Sequence, residues 1–133
     1  MGKAKDTHIS LGQATMLVEA EAITTASQRL GPEFAQAVEV ITEMSNSEKK
    51  LIFCGIGKSG HIARKLSTTF MSAGISCIFL HASEAIHGDL GIYKPGDVTI
   101  LLSKSGSSEE IVRILPLIKG FESKVIALSL IHI

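Results

Sequence analysis

Residues 51–65 read LIFCGIGKSGHIARK, and this stretch decides the fold. Leu51, Ile52, Phe53 and Cys54 form a short apolar run stopped by Gly55, which predicts a buried strand. Gly55, Gly57 and Gly60 then turn the chain tightly. Ile62, Leu66, Phe70 and Ala73 follow at helical spacing, and Gly74 ends the helix. Strand, glycine-rich turn and amphipathic helix make the first half of a β-α-β unit.

The pattern continues downstream. Residues 77–80 predict a second strand, and residues 83–87 a brief helix or turn broken by Gly88, Asp89 and Gly91. Pro95, Gly96 and Asp97 form a turn before a third strand at 98–102. A loop rich in Ser and Gly, 103–108, leads into a helix at 109–118 with Ile111, Ile114, Leu115 and Ile118 on one side. Pro116 interrupts its backbone bonding and predicts a kink. Residues 124–130 predict a fourth strand. Upstream, residues 11–30 are rich in helix formers, and Gly31 and Pro32 punctuate them. Phe34, Ala37, Val38, Ile41 and Met44 carry a second helix, and residues 46–50 are a polar link.

The expected fold class is α/β. It is a parallel-sheet sandwich with flanking helices, flavodoxin-like or Rossmann-like, preceded by two helices. Nothing repeats internally. Residues 1–50 read as a helical lead-in and residues 51–133 as an incomplete α/β core. The chain stops directly after the fourth strand, with no helix to cover it. The expectation is a truncated sequence or a cover supplied by another subunit.

Length and composition narrow the function. A chain of 133 residues buries one ordinary core. Thirteen basic residues balance thirteen acidic ones, so no net charge draws the chain to nucleic acid or anionic membrane. Five Phe, one Tyr and no Trp leave little for base stacking. No apolar run reaches membrane-spanning length, and MGKAKDTHIS lacks a signal-peptide core, so the expected location is the cytoplasm. Asp6 stands where a myristoylation signal needs Ser or Thr. Cys54 and Cys77 sit in strand-like runs without a CxxC pair or His cluster, which predicts reduced thiols rather than a disulfide or metal site.

Ligands of parallel sheets bind beyond the carboxyl ends of the strands, here at loops 55–61, 81–89 and 103–110. The first reads GIGKSGH. It is not a Walker A loop, because Ile52 stands where the first glycine belongs. Gly55, Gly57 and Gly60 match a dinucleotide fingerprint, but no acidic residue occupies 72–77. Ser59 near a helix start and the cation of Lys58 favour an anion. The third loop reads SKSGSSEE, with hydroxyls at Ser103, Ser105, Ser107 and Ser108 between a strand and a helix. A helix cap accounts for one of them, Ser107 or Ser108, and a phosphate nest for all four. Two anion-favouring turns in one sheet point to a phosphorylated small molecule. Glu109 or Glu110 is a candidate general base, and otherwise a surface cap. His87, beside Asp89 and near Glu84, is a candidate sugar contact or proton carrier, and otherwise a loop-to-loop hydrogen bond. His8 and His132 receive no role.

These motifs resemble the SIS (sugar isomerase) domain of bacterial arabinose 5-phosphate isomerases. The matching stretches are GIGKSGHIARK at 55–65, SEAIHGDLG at 83–91 and SKSGSSEE at 103–110. The resemblance implies interconversion of D-ribulose 5-phosphate and D-arabinose 5-phosphate, whose product feeds synthesis of Kdo for lipopolysaccharide or capsule. It implies phosphate binding by Ser59, Ser103, Ser105 and Ser108, with the Lys104 backbone amide. It implies an active-site lysine at Lys58, a carboxylate at Glu110 and a sugar-proximal histidine at His87. No metal or organic cofactor is implied. A homo-oligomer, usually a tetramer, is implied, with a sugar phosphate as the only other partner. Relatives continue into a segment bearing another glutamate and a histidine, and many add paired CBS modules absent here. Activity of this chain by itself is therefore left open. A non-catalytic phosphosugar-binding module or an inactive fragment remains the alternative. A transcriptional regulator is less in keeping with leading helices that lack a basic surface pattern.

Overall fold

The computed structural model describes the backbone of residues 2–129 and the side chains of residues 7–129. The chain divides into two compact units, Met1–Gln36 and Ala37–Ile133. In the first, helix α1 spans Gly2–Ser27. Its threonines bond back along the helix, Thr15 to the Leu11 carbonyl at 3.0 Å and Thr24 to that of Ala20 at 2.9 Å. Helix α2 spans Pro32–Ser45, with Pro32 in its first turn, where a missing N–H costs nothing, and its residues from Ala37 onward belong to the second unit.

The second unit is built on β1 (Leu51–Gly55), α3 (Gly57–Ser72), β2 (Cys77–His81), α4 (Ala82–Ile86), a 3-10 turn (Asp89–Ile92), β3 (Val98–Ser103), α5 (Glu109–Gly120) and β4 (Lys124–Ser129). The four strands form one parallel sheet in the order β2-β1-β3-β4. β1 and β3 are central, and each is buried along its whole length. Their alternating side chains feed two cores. Ile52, Cys54 and Leu101 face α4 and α5, where Ala82, Ala85, Ile111, Ile114 and Ile118 pack. Leu51, Phe53, Val98 and Ile100 face the other layer, against Met44 of α2 and Ala63, Leu66 and Phe70 of α3. Phe53 and Phe70 meet edge to face at 5.2 Å.

The sheet's amino-terminal edge is closed by Asp97, which is fully buried. Its carboxylate accepts from the backbone amides of Lys94 (2.8 Å) and Lys50 (3.1 Å) and from the Lys50 ammonium. Burial alone would raise this carboxyl, but the Lys50 hydrogen bond and the two amides together bring it below its ordinary value. Beside it, the hydroxyls of Tyr93, Thr99 and Ser123 satisfy one another in a buried chain that ends on the Asp97 carbonyl.

Some expectations need adjustment. Helical spacing puts Ile62 on the packing side of α3, yet it is 56% exposed. The buried row is Gly60, Ala63 and Ser67, because the close approach of Gly60 to Gly55 sets which face of the helix meets the sheet. Helix α5 runs to Gly120, two residues beyond its expected end at Ile118, with Pro116 inside it. Cys54 is buried and its thiol is pushed up to about 12 by desolvation, whereas Cys77 is only half-buried and donates to the Ser67 carbonyl at 2.9 Å. Position 130, expected in the fourth strand, and His132 lie outside the described residues.

Candidate active site

β1 and β3 are neighbours, with Gly55 opposite Leu102, so the turns that follow them lie side by side. The first turn is shaped by its glycines. A Cβ on Gly55 would stand 3.1 Å from the backbone of Ser59 and Gly60, and one on Gly60 would stand 3.1 Å from the Gly55 carbonyl oxygen. Gly57 has φ +56°, a conformation that costs other residues energy. Together these let α3 begin directly against the strand end.

Both helices begin without a side-chain cap. Ile56 holds the N-cap position of α3 and has no oxygen to offer. The first helical bond runs from Gly60 N–H to the Ile56 carbonyl at 3.0 Å, so the amides of Gly57, Lys58 and Ser59 have no acceptor within the helix. Ser108 holds the N-cap position of α5, yet its hydroxyl makes no capping bond. Val112 N–H reaches the Ser108 carbonyl at 3.0 Å, leaving the amides of Glu109, Glu110 and Ile111 in the same condition. Two positive helix ends therefore face the same edge of the sheet.

The serine loop is shaped by its own hydroxyls. Ser103 Oγ accepts from the Gly106 amide at 2.9 Å, and Ser105 Oγ accepts from the Ser107 amide at 3.3 Å. A cleft of about 430 Å³ opens at this edge. Its polar walls are Lys58, Ser59, Ser103, Lys104 and Ser129, and its apolar floor is Ile62, Leu102 and Leu128. Among the described residues no carboxylate lines it. Lys58 and Lys104 are exposed, and neither takes part in an ion pair among the described residues. Such a cleft attracts an anion, and its apolar floor suits the carbon side of a small ligand.

The structure thus brings Lys58, Ser59, Ser103 and Lys104 into one cleft. Ser105, Ser108, Glu110 and His87 stand outside its walls. Ser105 is exposed, and Ser108, at the start of α5, is half-buried. Glu109 pairs with Arg113 one turn along α5 at 2.7 Å, whereas the half-buried Glu110 makes no ion pair among the described residues. His87 follows α4, is exposed, and makes no side-chain hydrogen bond among the described residues. No group of three or more possible metal ligands occurs among the described residues.

Two residues were missed from sequence. Ser129 ends β4, and applying the strand-end rule to the fourth strand as well as the other three would have found it. His81 ends β2, and its Nδ1 is buried without a hydrogen-bond partner among the described residues. The sequence pattern marks the loop it opens but offers no sign of that unpartnered nitrogen.

The parallel sheet and its flanking helices define an α/β domain in which the uncapped start of α3, with Lys58 and Lys104, borders a cleft at the strand ends, an arrangement that favours an anion. A SIS domain model matches residues 43–130, and the chain belongs to the SIS domain family. It is 40% identical over 122 residues to a Haemophilus influenzae protein named "Probable arabinose 5-phosphate isomerase", covering 92% of this chain and 35% of that one. It is 38% identical to the arabinose 5-phosphate isomerase KdsD of Francisella tularensis, covering 92% of this chain and 37% of the relative. The solved structure of an E. coli CFT073 protein in complex with arabinose 5-phosphate superposes with a TM-score of 0.84 at 39% identity, covering 93% of this chain and 64% of that one. The chain spans about a third of the length of these curated relatives. Among the described residues no helix is long and apolar enough to cross a membrane.

Proposed function

We propose that this chain forms the phosphosugar-binding part of an isomerase that interconverts D-ribulose 5-phosphate and D-arabinose 5-phosphate. The observation that carries the proposal is the uncapped start of α3 at a cleft lined by two lysines and, among the described residues, by no carboxylate, with the uncapped start of α5 following the neighbouring strand. The names of the two relatives and the arabinose 5-phosphate bound in the solved neighbour support this substrate class. Ser59, Ser103, Ser105 and Ser108, with the Lys104 amide, hold the phosphate. A proton leaves C1 of the ketose to give an enediolate and returns at C2 to give the aldose. Glu110 shuttles that proton, Lys58 stabilises the oxyanion that forms between the two transfers, and His87 assists ring opening or fixes a hydroxyl. Residues 1–50 serve as the helical lead-in to the core. The proposal includes a cytoplasmic location and a homo-oligomer. Leu11, Met16, Leu17, Val18 and Ile23, each more than 60% exposed along α1, support the oligomer.

The test is incubation of the full-length protein bearing this sequence with ribulose 5-phosphate in deuterated water. Formation of arabinose 5-phosphate carrying deuterium at C2 is expected. A folded protein that yields none overturns the proposal.

A further inference from the structure

Ser103 at the end of β3 lies in register with Ser129 at the end of β4. Ser129 Oγ donates to the Lys104 carbonyl at 3.2 Å. The peptide linking Lys104 to Ser105 is trans and planar, so its N–H points opposite to its C=O. With the carbonyl held towards β4, the Ser105 N–H is turned away from β4. On the other side of β3 from β4 lies β1, which is followed by the turn ahead of α3. The next two amides of the loop, Gly106 and Ser107, are already taken by Ser103 and Ser105 hydroxyls. The Ser105 amide has no hydrogen bond among the described residues. Ser129 also lines the cleft with Lys58, Ser59 and Lys104.

We infer that Ser129 is a positioning residue: its hydroxyl fixes the Lys104–Ser105 peptide so that the Ser105 amide is presented to the phosphate of the ligand. The inference rests on the phosphosugar reading of the cleft. An untethered peptide would spend part of its time with the amide turned elsewhere, whereas a tethered one is set before the anion arrives. The effect therefore falls on affinity for the phosphate and not on the proton transfer.

The experiment compares Ser129→Ala, Ser129→Cys and Ser129→Thr in the full-length protein. The readouts are KM and kcat for ribulose 5-phosphate, the inhibition constant of inorganic phosphate, and the thermal midpoint. Loss of one positioning hydrogen bond is expected to raise KM and the phosphate inhibition constant together by about fivefold in the Ala and Cys variants. kcat and the midpoint should hold, and Thr, which keeps the hydroxyl, should restore both constants. Unchanged constants in Ser129→Ala would overturn the inference while leaving the isomerase reading intact. So would losses that Ser129→Thr fails to repair, or losses that follow the thermal midpoint. A wild-type protein that neither isomerises the sugar nor binds phosphate would remove the reading and the inference together.

Discussion

Glu109 and Glu110 are neighbours in sequence, and their surroundings separate them. Arg113 engages Glu109 at the surface, while Glu110 is half-buried without an ion-pair partner among the described residues. If Glu110 moves the proton, Glu110→Gln lowers kcat by about 100- to 10,000-fold in a steady-state assay. Glu109→Gln leaves kcat unchanged and removes a pair worth about 0.3–0.5 kcal/mol. Equal losses in both variants would refute the division of roles. Lys58→Ala should lower kcat about 100-fold or more through loss of oxyanion stabilisation. The residue types at Lys58, Ser59 and Ser103 pointed to an anion from sequence, because a cation and clustered hydroxyls at strand-to-helix turns suit one better than a single helix cap explains them. Residue type and spacing did not separate one glutamate from the other, since that depends on which way a helix start faces, and only the family resemblance singled out Glu110.

At the scale of elements, the junction of β1 and α3 rests on two facing glycines. A methyl group on Gly55 would stand 3.1 Å from backbone atoms that no side-chain rotation can move. Gly55→Ala is expected to cost about 1–3 kcal/mol in urea unfolding and to displace Lys58 and Ser59 from the cleft. A variant with unchanged stability and KM would show that the junction yields freely. The strands and helices themselves were legible, because continuous apolar runs and 3.6-residue spacing reflect purely local geometry. The packing face of α3 was not, since Gly60, which has no side chain, leads it. Apolar spacing follows side-chain size, and here the closest contact is made where there is no side chain.

At the scale of the molecule, the two ends of the sheet carry different tasks. One end opens into the cleft, while the other is closed by Asp97 and Lys50. The Asp97 carboxyl lies below its ordinary value in the fold, so folding favours its ionised form. Its contribution is complete above a pH of about 4 and is lost as the pH falls through the folded value. Asp97→Asn should cost on the order of 2 kcal/mol at neutral pH, and the gap from wild type should close in acid. Denaturation curves across pH that keep a constant gap would contradict this. The apolar side chains exposed along α1 lead to a second expectation, that the protein sediments as an oligomer and that Leu17→Glu with Val18→Glu shifts it to smaller species. Sedimentation as a monomer throughout would remove the oligomer from the proposal.

The sequence by itself determined the order of elements, the parallel α/β class and the two loops that invite an anion. Those follow from periodicity, glycine placement and the chemistry of individual side chains. Only the tertiary structure decided that Lys58, Ser59, Ser103 and Lys104 share a cleft with Ser129, and that Glu110, His87, Ser105 and Ser108 stand outside its walls. Strand order brings β1 beside β3 and β3 beside β4, and that pairing of distant segments is a property of the folded sheet, which no local spacing records.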